Sequence, residues 1–326
     1  MEYQNLGLTD LKISRIGFGC WAMGGYGWGR IDDKNSIAAV HKALDLGINF
    51  FDTADVYGFG HSEEILSRAL GRYRNKVVIA TKFGIKWDKR GRISRDISPK
   101  RVIEALDCSL RRLEIDCIPL YQIHWPDFKT PIYKTIEILR KCQKAGKIQY
   151  IGVSNFSFDL IREAQRCTRI ESMQGPYNII NRNIEKELQL CHQKYNMATI
   201  TYGSLVQGLF SGRYGKNSKF DEKDVRRRYE NWKGKKFEMN LKLVDKLKKI
   251  GNNYGKTPAQ VAIRWILENP FVDCALIGIT KPKEIVENSG AIDWKLSRKD
   301  REKLTKIAVK CRSNLKSKIK IFKELI

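Results

Sequence analysis

Four residues of different chemistry close or follow short apolar runs along this 326-residue chain. Asp52 ends INFFD, Lys82 follows KVVIAT, His124 closes IPLYQIH, and Tyr57 stands five residues after Asp52 in NFFDTADVYG. A lysine beside a phenol favours the phenolate and is expected to lower a tyrosine pKa from its usual value of about 10, giving a proton donor near neutrality. A buried ammonium stays charged only beside a carboxylate, and Asp52 suits that role. His124 can donate a hydrogen bond to an oxygen gaining negative charge, or relay a proton. Singly, each residue has an ordinary structural account: a helix-capping Asp, a rim Tyr, a satisfied core His, a solvated loop Lys. Placed together on successive strand ends, they suit protonation of a carbonyl oxygen.

Such residues meet only if the runs they end lie side by side. The apolar runs RIGFG (15–19), INFFD (48–52), KVVIAT (76–81), IPLYQIH (118–124), IQYIGVS (148–154), SMQGPYN (172–178), ATITYG (198–203) and CALIGI (274–279) predict eight strands. Segments of helical period lie between them at 33–46, 62–71, 99–113, 131–145, 157–167, 184–195, 257–269 and 282–290. Asp32 or Asp33, Ser98-Pro99 and Thr257-Pro258 are start signals for three of these. Eight strand–helix repeats predict an α/β fold, one (β/α)8 TIM barrel spanning 1–326 as a single domain. An N-terminal hairpin over 3–14, turning near Leu8-Thr9-Asp10, precedes it, and a C-terminal extra helix from about Ser297 to Arg312 packs outside. Two inserts, 83–97 with Trp87 and the charged 208–238, follow strands, where barrels build their sites.

The segment Gly17-Phe-Gly19-Cys-Trp-Ala22 matches a dinucleotide fingerprint, but the chain continues as MGGYGWGRIDD and not as the helix that fingerprint requires. It reads instead as a loop over the barrel mouth. The net charge of +25 is spread along the chain, with concentrations at 226–228, 233–236, 246–249 and the tail after Lys310. Without a nucleic-acid-binding motif this predicts solvated basic faces and no nucleic-acid partner, although such a surface can steer an anionic ligand. The N-terminus lacks the order of a signal peptide and no run reaches the roughly 20 apolar residues of a membrane span, so a cytoplasmic location is expected. Eight dispersed cysteines without a Cys-x-x-Cys pair read as reduced thiols, and no metal-ligand spacing is present.

In these motifs the sequence resembles the aldo-keto reductases, from LGLTDLKISRIGFG to the IVEN segment, and with them the cytoplasmic beta subunits of potassium channels. The resemblance implies a catalytic tetrad of Asp52 and Tyr57 (FFDTADVYG), Lys82 (ATKFG) and His124 (YQIHWPD). It implies that Ser154 and Asn155 (YIGVSNF) and Gln174 bind the nicotinamide carboxamide, and that Tyr177 (MQGPYN) stacks on the nicotinamide. TYGSLVQGLFSGRY resembles the phosphate-binding stretch, implying roles for Tyr202, Ser204, Leu205, Gln207 and Gly208, although Gly203-Ser204 replaces the usual Ser-Pro. LIGITKPKEIVEN resembles the adenosine-binding stretch, with Gly278, Thr280, Lys281, Glu284, Glu287 and Asn288 as contacts. Glu284 would repel a 2′-phosphate or accept from a free ribose hydroxyl, whereas Lys281 and Lys283 would attract the phosphate. The expected cofactor is therefore NADPH, with NADH open.

The implied activity is NAD(P)H-dependent reduction of an aldehyde or ketone, Tyr57 acting as general acid. Trp21, Trp28, Trp87 and Trp125, with Tyr26 and Phe59, are candidate walls for a small-molecule carbonyl substrate, which includes sugar or nucleotide-sugar ketones. A nicotinamide-binding regulatory subunit with little turnover is the rival reading.

Overall fold

A computed structural model describes residues 1–29, 31–127 and 129–313. The chain opens with an antiparallel hairpin, β1 (Tyr3–Asn5) and β2 (Lys12–Ser14), as the sequence predicts. Then follow β3 (Ile16–Gly19), α1 (Asp33–Asp45), β4 (Phe50–Asp52), α2 (His61–Leu70) and β5 (Val78–Phe83). Inside the first insert lies an unanticipated hairpin, β6 (Ile85–Trp87) and β7 (Ile93–Arg95). The repeat continues through α3 (Pro99–Leu113), β8 (Ile118–Ile123), α4 (Ile132–Lys144), β9 (Ile148–Ser154), α5 (Phe158–Cys167), β10 (Ser172–Pro176), α6 (Glu185–Tyr195) and β11 (Ala198–Tyr202). It finishes with α7 (Gly234–Asn252), α8 (Pro258–Leu267), β12 (Cys274–Gly278), α9 (Pro282–Ser289) and α10 (Arg298–Ser313).

Strands β3, β4, β5, β8, β9, β10, β11 and β12 close into a parallel barrel, the (β/α)8 architecture the repeats predict. Local chemistry sets the helices that surround it. Asp32 caps α1 by accepting from Lys34 N, and Ser36, Ala39, Val40 and Ala43 form its buried stripe. Ser98 caps α3 ahead of Pro99, while Thr257 and Gln260 make a reciprocal capping box at α8. Helix α7 departs from the sequence reading, which left residues 239–256 unassigned. Its buried residues Phe237, Asn240, Leu243, Val244, Leu247 and Ile250 recur at helical spacing, but the lysines between them dominate the composition.

Leu6 and Ile13 of the hairpin are buried in one cluster with Phe50, Ala80, Leu120, Ile200 and Leu276 from the barrel strands. The hairpin thereby plugs the amino end of the barrel with apolar side chains and leaves polar chemistry to the opposite end. No helix among the described residues is long and apolar enough to cross a membrane. The basic tail beyond Ser313 lies outside the described residues.

Candidate active site

Parallel pairing fixes which strand ends become neighbours: Asp52 stands opposite Ala80 of β5, and Lys82 opposite Gln122 of β8. The Lys82 side chain is fully buried, and its Nζ donates to Asp52 Oδ1 at 2.5 Å, to the Thr53 carbonyl at 2.8 Å and to the Tyr57 hydroxyl at 3.3 Å. An ammonium removed from water this completely needs its full complement of acceptors, and these three supply it. Asp52 accepts in addition from Gln122 Nε2 (3.2 Å) and Gln174 Nε2 (2.8 Å) on its other oxygen. The His124 ring meets the Tyr57 ring edge-on with centroids 5.7 Å apart. Asp52, Lys82 and His124 therefore gather around the phenol of Tyr57.

The electrostatics differ from the sequence expectation in sign. Burial first, then charge on Asp52, Cys20 and Asp55, pushes the Tyr57 phenol well above its usual range, so Lys82 does not bring it down towards neutrality. His124 is driven well below the ordinary histidine value by burial and then by Lys82, and stays neutral at pH 7. The site thus holds a protonated phenol and an uncharged imidazole, two hydrogen-bond donors toward an oxygen that gains charge.

Beside it lies a second buried acid. Asp55 is completely buried and paired with Arg101, whose guanidinium also donates to the Ile85 carbonyl and lies over the Trp87 ring. Burial dominates, and its carboxyl rises to about 7. This pair fastens the loop carrying Tyr57 to the hairpin of the first insert.

Backbone shape explains the glycines here. Gly58 has φ +61 and lies against the backbone of Gly24, where any Cβ would collide. The glycine-rich loop folds as short turns, with a 3-10 turn at Ala22–Gly24, rather than as the helix of a dinucleotide fingerprint. It delivers Trp21, centroid 6.3 Å from Tyr57, and Trp28, edge-on to Trp21 at 5.0 Å. Tyr26, Phe59 and Trp87 continue this aromatic rim, while Trp125 is covered by the Arg95 guanidinium at 4.6 Å.

Among the residues expected to hold a cofactor, Ser154, Asn155, Gln174 and Tyr202 meet at the carboxyl ends of β9, β10 and β11. Asn155 donates to the His124 carbonyl and to Ser154 Oγ, both at 3.0 Å, and accepts from the Tyr202 hydroxyl at 2.8 Å. Gln174 faces Asp52 as well, so its amide joins the tetrad network. Tyr177 is not brought to the mouth. It is 1% exposed, stacked on Trp265 at 5.5 Å and bonded to Glu185 and Asn269 in the helical layer. The chain leaves β10 at Pro176, and this residue turns outward; Tyr202, the last residue of β11, is the aromatic that reaches the site.

Ser204 is buried and donates to the Leu276 carbonyl, and Gly203, Val206, Gln207 and Gly208 all carry positive φ. Such left-handed residues form the concave backbone that holds anions, which fits a pyrophosphate beside Leu205 and Gln207. Across from them Gly278 ends β12, where a Cβ would meet nothing within 4 Å. Lys281 occupies the cap position of α9, and Asn288 is buried near its end. Glu284 accepts from Thr280 N at 2.9 Å and from Thr280 Oγ1 at 3.2 Å, while Arg213 bridges Glu284 (3.0 Å) and Glu287 (3.2 Å). The Glu284 charge is therefore answered by an arginine from the second insert, a partner that nothing in the sequence points to. Gln122 was also missed, although a glutamine inside an otherwise apolar strand is a legible signal for an inward polar contact.

Comparison with known proteins gives a consistent outcome. The aldo/keto reductase family model matches residues 15–309. The chain is 38% identical over 310 residues to the protein described as aldo-keto reductase YhdN of Bacillus subtilis, covering 94% of this chain and 93% of that one. It is 36% identical over 293 residues to aldo-keto reductase yakc [NADP(+)] of Schizosaccharomyces pombe, covering 87% and 85% respectively. Among solved structures, glycerol dehydrogenase AKR11B4 from Gluconobacter oxydans superposes with a TM-score of 0.89 at 36% identity, covering 97% of each chain.

Proposed function

The chain belongs to the aldo/keto reductase family, oxidoreductases acting on carbonyls, and on that premise we propose that it reduces a small aldehyde or ketone to the alcohol with a nicotinamide cofactor, Tyr57 serving as general acid. The observation that carries this reading is the buried Lys82 ammonium, 2.5 Å from Asp52 and 3.3 Å from the Tyr57 hydroxyl. When bound, the nicotinamide supplies the hydride. Tyr57 then gives its proton to the carbonyl oxygen, and Lys82 stabilises the phenolate that remains, its own charge kept by Asp52. The neutral His124 ring orients the carbonyl by donating a hydrogen bond.

Ser154, Asn155 and Gln174 are assigned to the carboxamide, and Tyr202, rather than Tyr177, to the nicotinamide face. The turn from Gly203 to Gly208, with positive φ at Gly203, Val206, Gln207 and Gly208, holds the pyrophosphate, and Gly278, Thr280, Lys281, Glu284, Glu287 and Asn288 flank the adenosine. NADPH is the proposed cofactor. Pairing of Glu284 with Arg213 supports it by weakening the acid's repulsion of a 2′-phosphate, and the yeast relative's name carries NADP(+). Trp21, Trp28 and Trp87 wall the substrate side. The name of the glycerol dehydrogenase neighbour supports a small, oxygen-rich substrate.

A fluorescence titration of NADPH against NADH, followed by turnover on a panel of carbonyl compounds with the preferred cofactor, tests the proposal. Saturable NADPH binding with turnover is the expected result; failure of both cofactors to bind overturns it.

A further inference from the structure

The second insert forms a strap tied down at two points on opposite sides of the mouth. Arg213 ties its start to Glu284 and Glu287. Further along, Val225 N donates to the Gly27 carbonyl at 2.7 Å, joining the strap to the glycine-rich loop on the substrate side. Gly27 has φ +80 at this contact. The next residue makes a clasp. Arg226 is bonded to both carboxylate oxygens of the buried Asp224, Nε to Oδ1 at 2.9 Å and Nη2 to Oδ2 at 2.5 Å. Its guanidinium sits among four rings: Phe220 at 4.4 Å, Tyr214 at 5.3 Å, Trp232 at 5.8 Å and Trp28 at 6.0 Å. A planar cation held at its edge by a carboxylate and on its faces by aromatic rings has little freedom left.

The clasp positions Tyr229, whose amide donates to the Arg226 carbonyl at 3.2 Å and whose carbonyl accepts from Trp232 N at 3.0 Å. The same turn lies against the site: the Arg226 guanidinium stands over Trp28, which meets Trp21 edge-on beside Tyr57, and burial raises the Tyr229 phenol. The roles of the three phenols differ. Tyr57 is bonded by Lys82, and Tyr202 gives its hydrogen to Asn155, whereas the Tyr229 hydroxyl makes no hydrogen bond to another described side chain. In the same wall, Trp28 Nε1 is a buried donor with no acceptor among the described residues. Two polar groups near a carbonyl-reducing centre, neither engaged by the protein, suit a second oxygen on the substrate.

We propose that Tyr229, held in place by the Arg226 clasp and aided by Trp28 Nε1, is a specificity-determining residue that hydrogen-bonds a hydroxyl adjacent to the substrate carbonyl. The preferred substrates are then hydroxy-aldehydes and hydroxy-ketones rather than plain alkyl aldehydes. The inference rests on the reductase reading above. A site built to bond a substrate hydroxyl discriminates against the analogue that lacks it, because the protein's polar groups are then left unpaired.

Glyceraldehyde and propanal, equal in carbon number, separate the possibilities. With the wild-type holoenzyme and with Tyr229→Phe, kcat and KM are measured for both, together with the cofactor Kd. The expected result is wild-type preference for glyceraldehyde and, in Tyr229→Phe, a loss of about tenfold in kcat/KM for glyceraldehyde, carried mainly by KM, against less than about twofold for propanal. Cofactor Kd stays unchanged. Equal losses on the two aldehydes, or none on either, overturn the specificity role while leaving the reductase reading intact. A wild-type enzyme that reduces other carbonyls but not glyceraldehyde overturns the inference too. Turnover of no carbonyl at all is the separate failure of the reading beneath it.

Discussion

Tyr57 is approached from two sides that are built by different physics. On the barrel side, Asp52, Lys82, Gln122 and Gln174 sit on strands whose register fixes their spacing, and each of these four side chains is hydrogen-bonded within the same network. On the solvent side, the strap has no strand; three short 3-10 turns and a few anchors, Arg213, Val225 and Arg226, hold it. On the proposed reading, chemistry is placed where the fold over-determines geometry, and substrate choice where geometry can change without unmaking the barrel. Elements with few anchors also open at lower free energy than core strands, which suits a covering that ligands must pass.

The largest effect expected from this contrast comes from Tyr57→Phe. Loss of the proposed general acid should cost about 10²- to 10⁴-fold in kcat for reduction while NADPH still binds. Near-wild-type turnover in that variant would erase the distinction between the two sides. Lys82→Met is expected to abolish activity and to destabilise the fold by about 3–5 kcal/mol, because Asp52 is left buried and uncompensated. Adding Asp52→Leu to it should restore the urea midpoint without restoring turnover, which separates the stability of the network from its chemistry.

Arg226→Ala acts on the other side. It should leave the urea midpoint of the barrel nearly unchanged yet weaken NADPH binding and speed its release by about tenfold, read by stopped-flow fluorescence. A cooperative loss of the whole fold in this variant would instead make the strap part of the core.

The smallest effects concern pH. Because Tyr57 is held well above its usual range and His124 well below, neither should titrate in the working range, and kcat for reduction should be flat from about pH 6.5 to about pH 9. Asp55 gives a stability signature. Its folded-state value of about 7 lies above the unfolded one, so its contribution is complete below about pH 4 and is lost as pH rises through about 7. Wild-type stability relative to Asp55→Asn should therefore fall across that window in urea titrations. A difference independent of pH would mean that the Arg101 pair keeps Asp55 ionised throughout.

The same division governs how much could be read from the sequence. All eight barrel strands announced themselves as apolar runs, since both faces of a parallel barrel strand are covered. That Asp52, Lys82, His124 and Tyr57 come together was legible because these residues end or closely follow those runs. Legibility failed where the chain left regular structure. Tyr177 follows a short apolar strand and Tyr202 ends one, and the path of the chain after Pro176 decides that Tyr177 packs among the helices. Helix α7 was hidden by its lysines, and the β6–β7 hairpin by a polar turn of Asp88, Lys89, Arg90 and Gly91. The clasp had no signature at all: Tyr214, Phe220, Arg226 and Trp232 are brought together by irregular backbone, whose path no periodicity encodes. The sign of the Tyr57 shift was likewise set by depth of burial, which residue types alone do not give.

The apolar hairpin under the barrel has a consequence for traffic. With Leu6 and Ile13 packed against Phe50, Ala80 and Leu120, apolar side chains close the amino end of the barrel, and a ligand of the polar network has to be received at the opposite end. Two reactants that share that end would each constrain the arrival and release of the other.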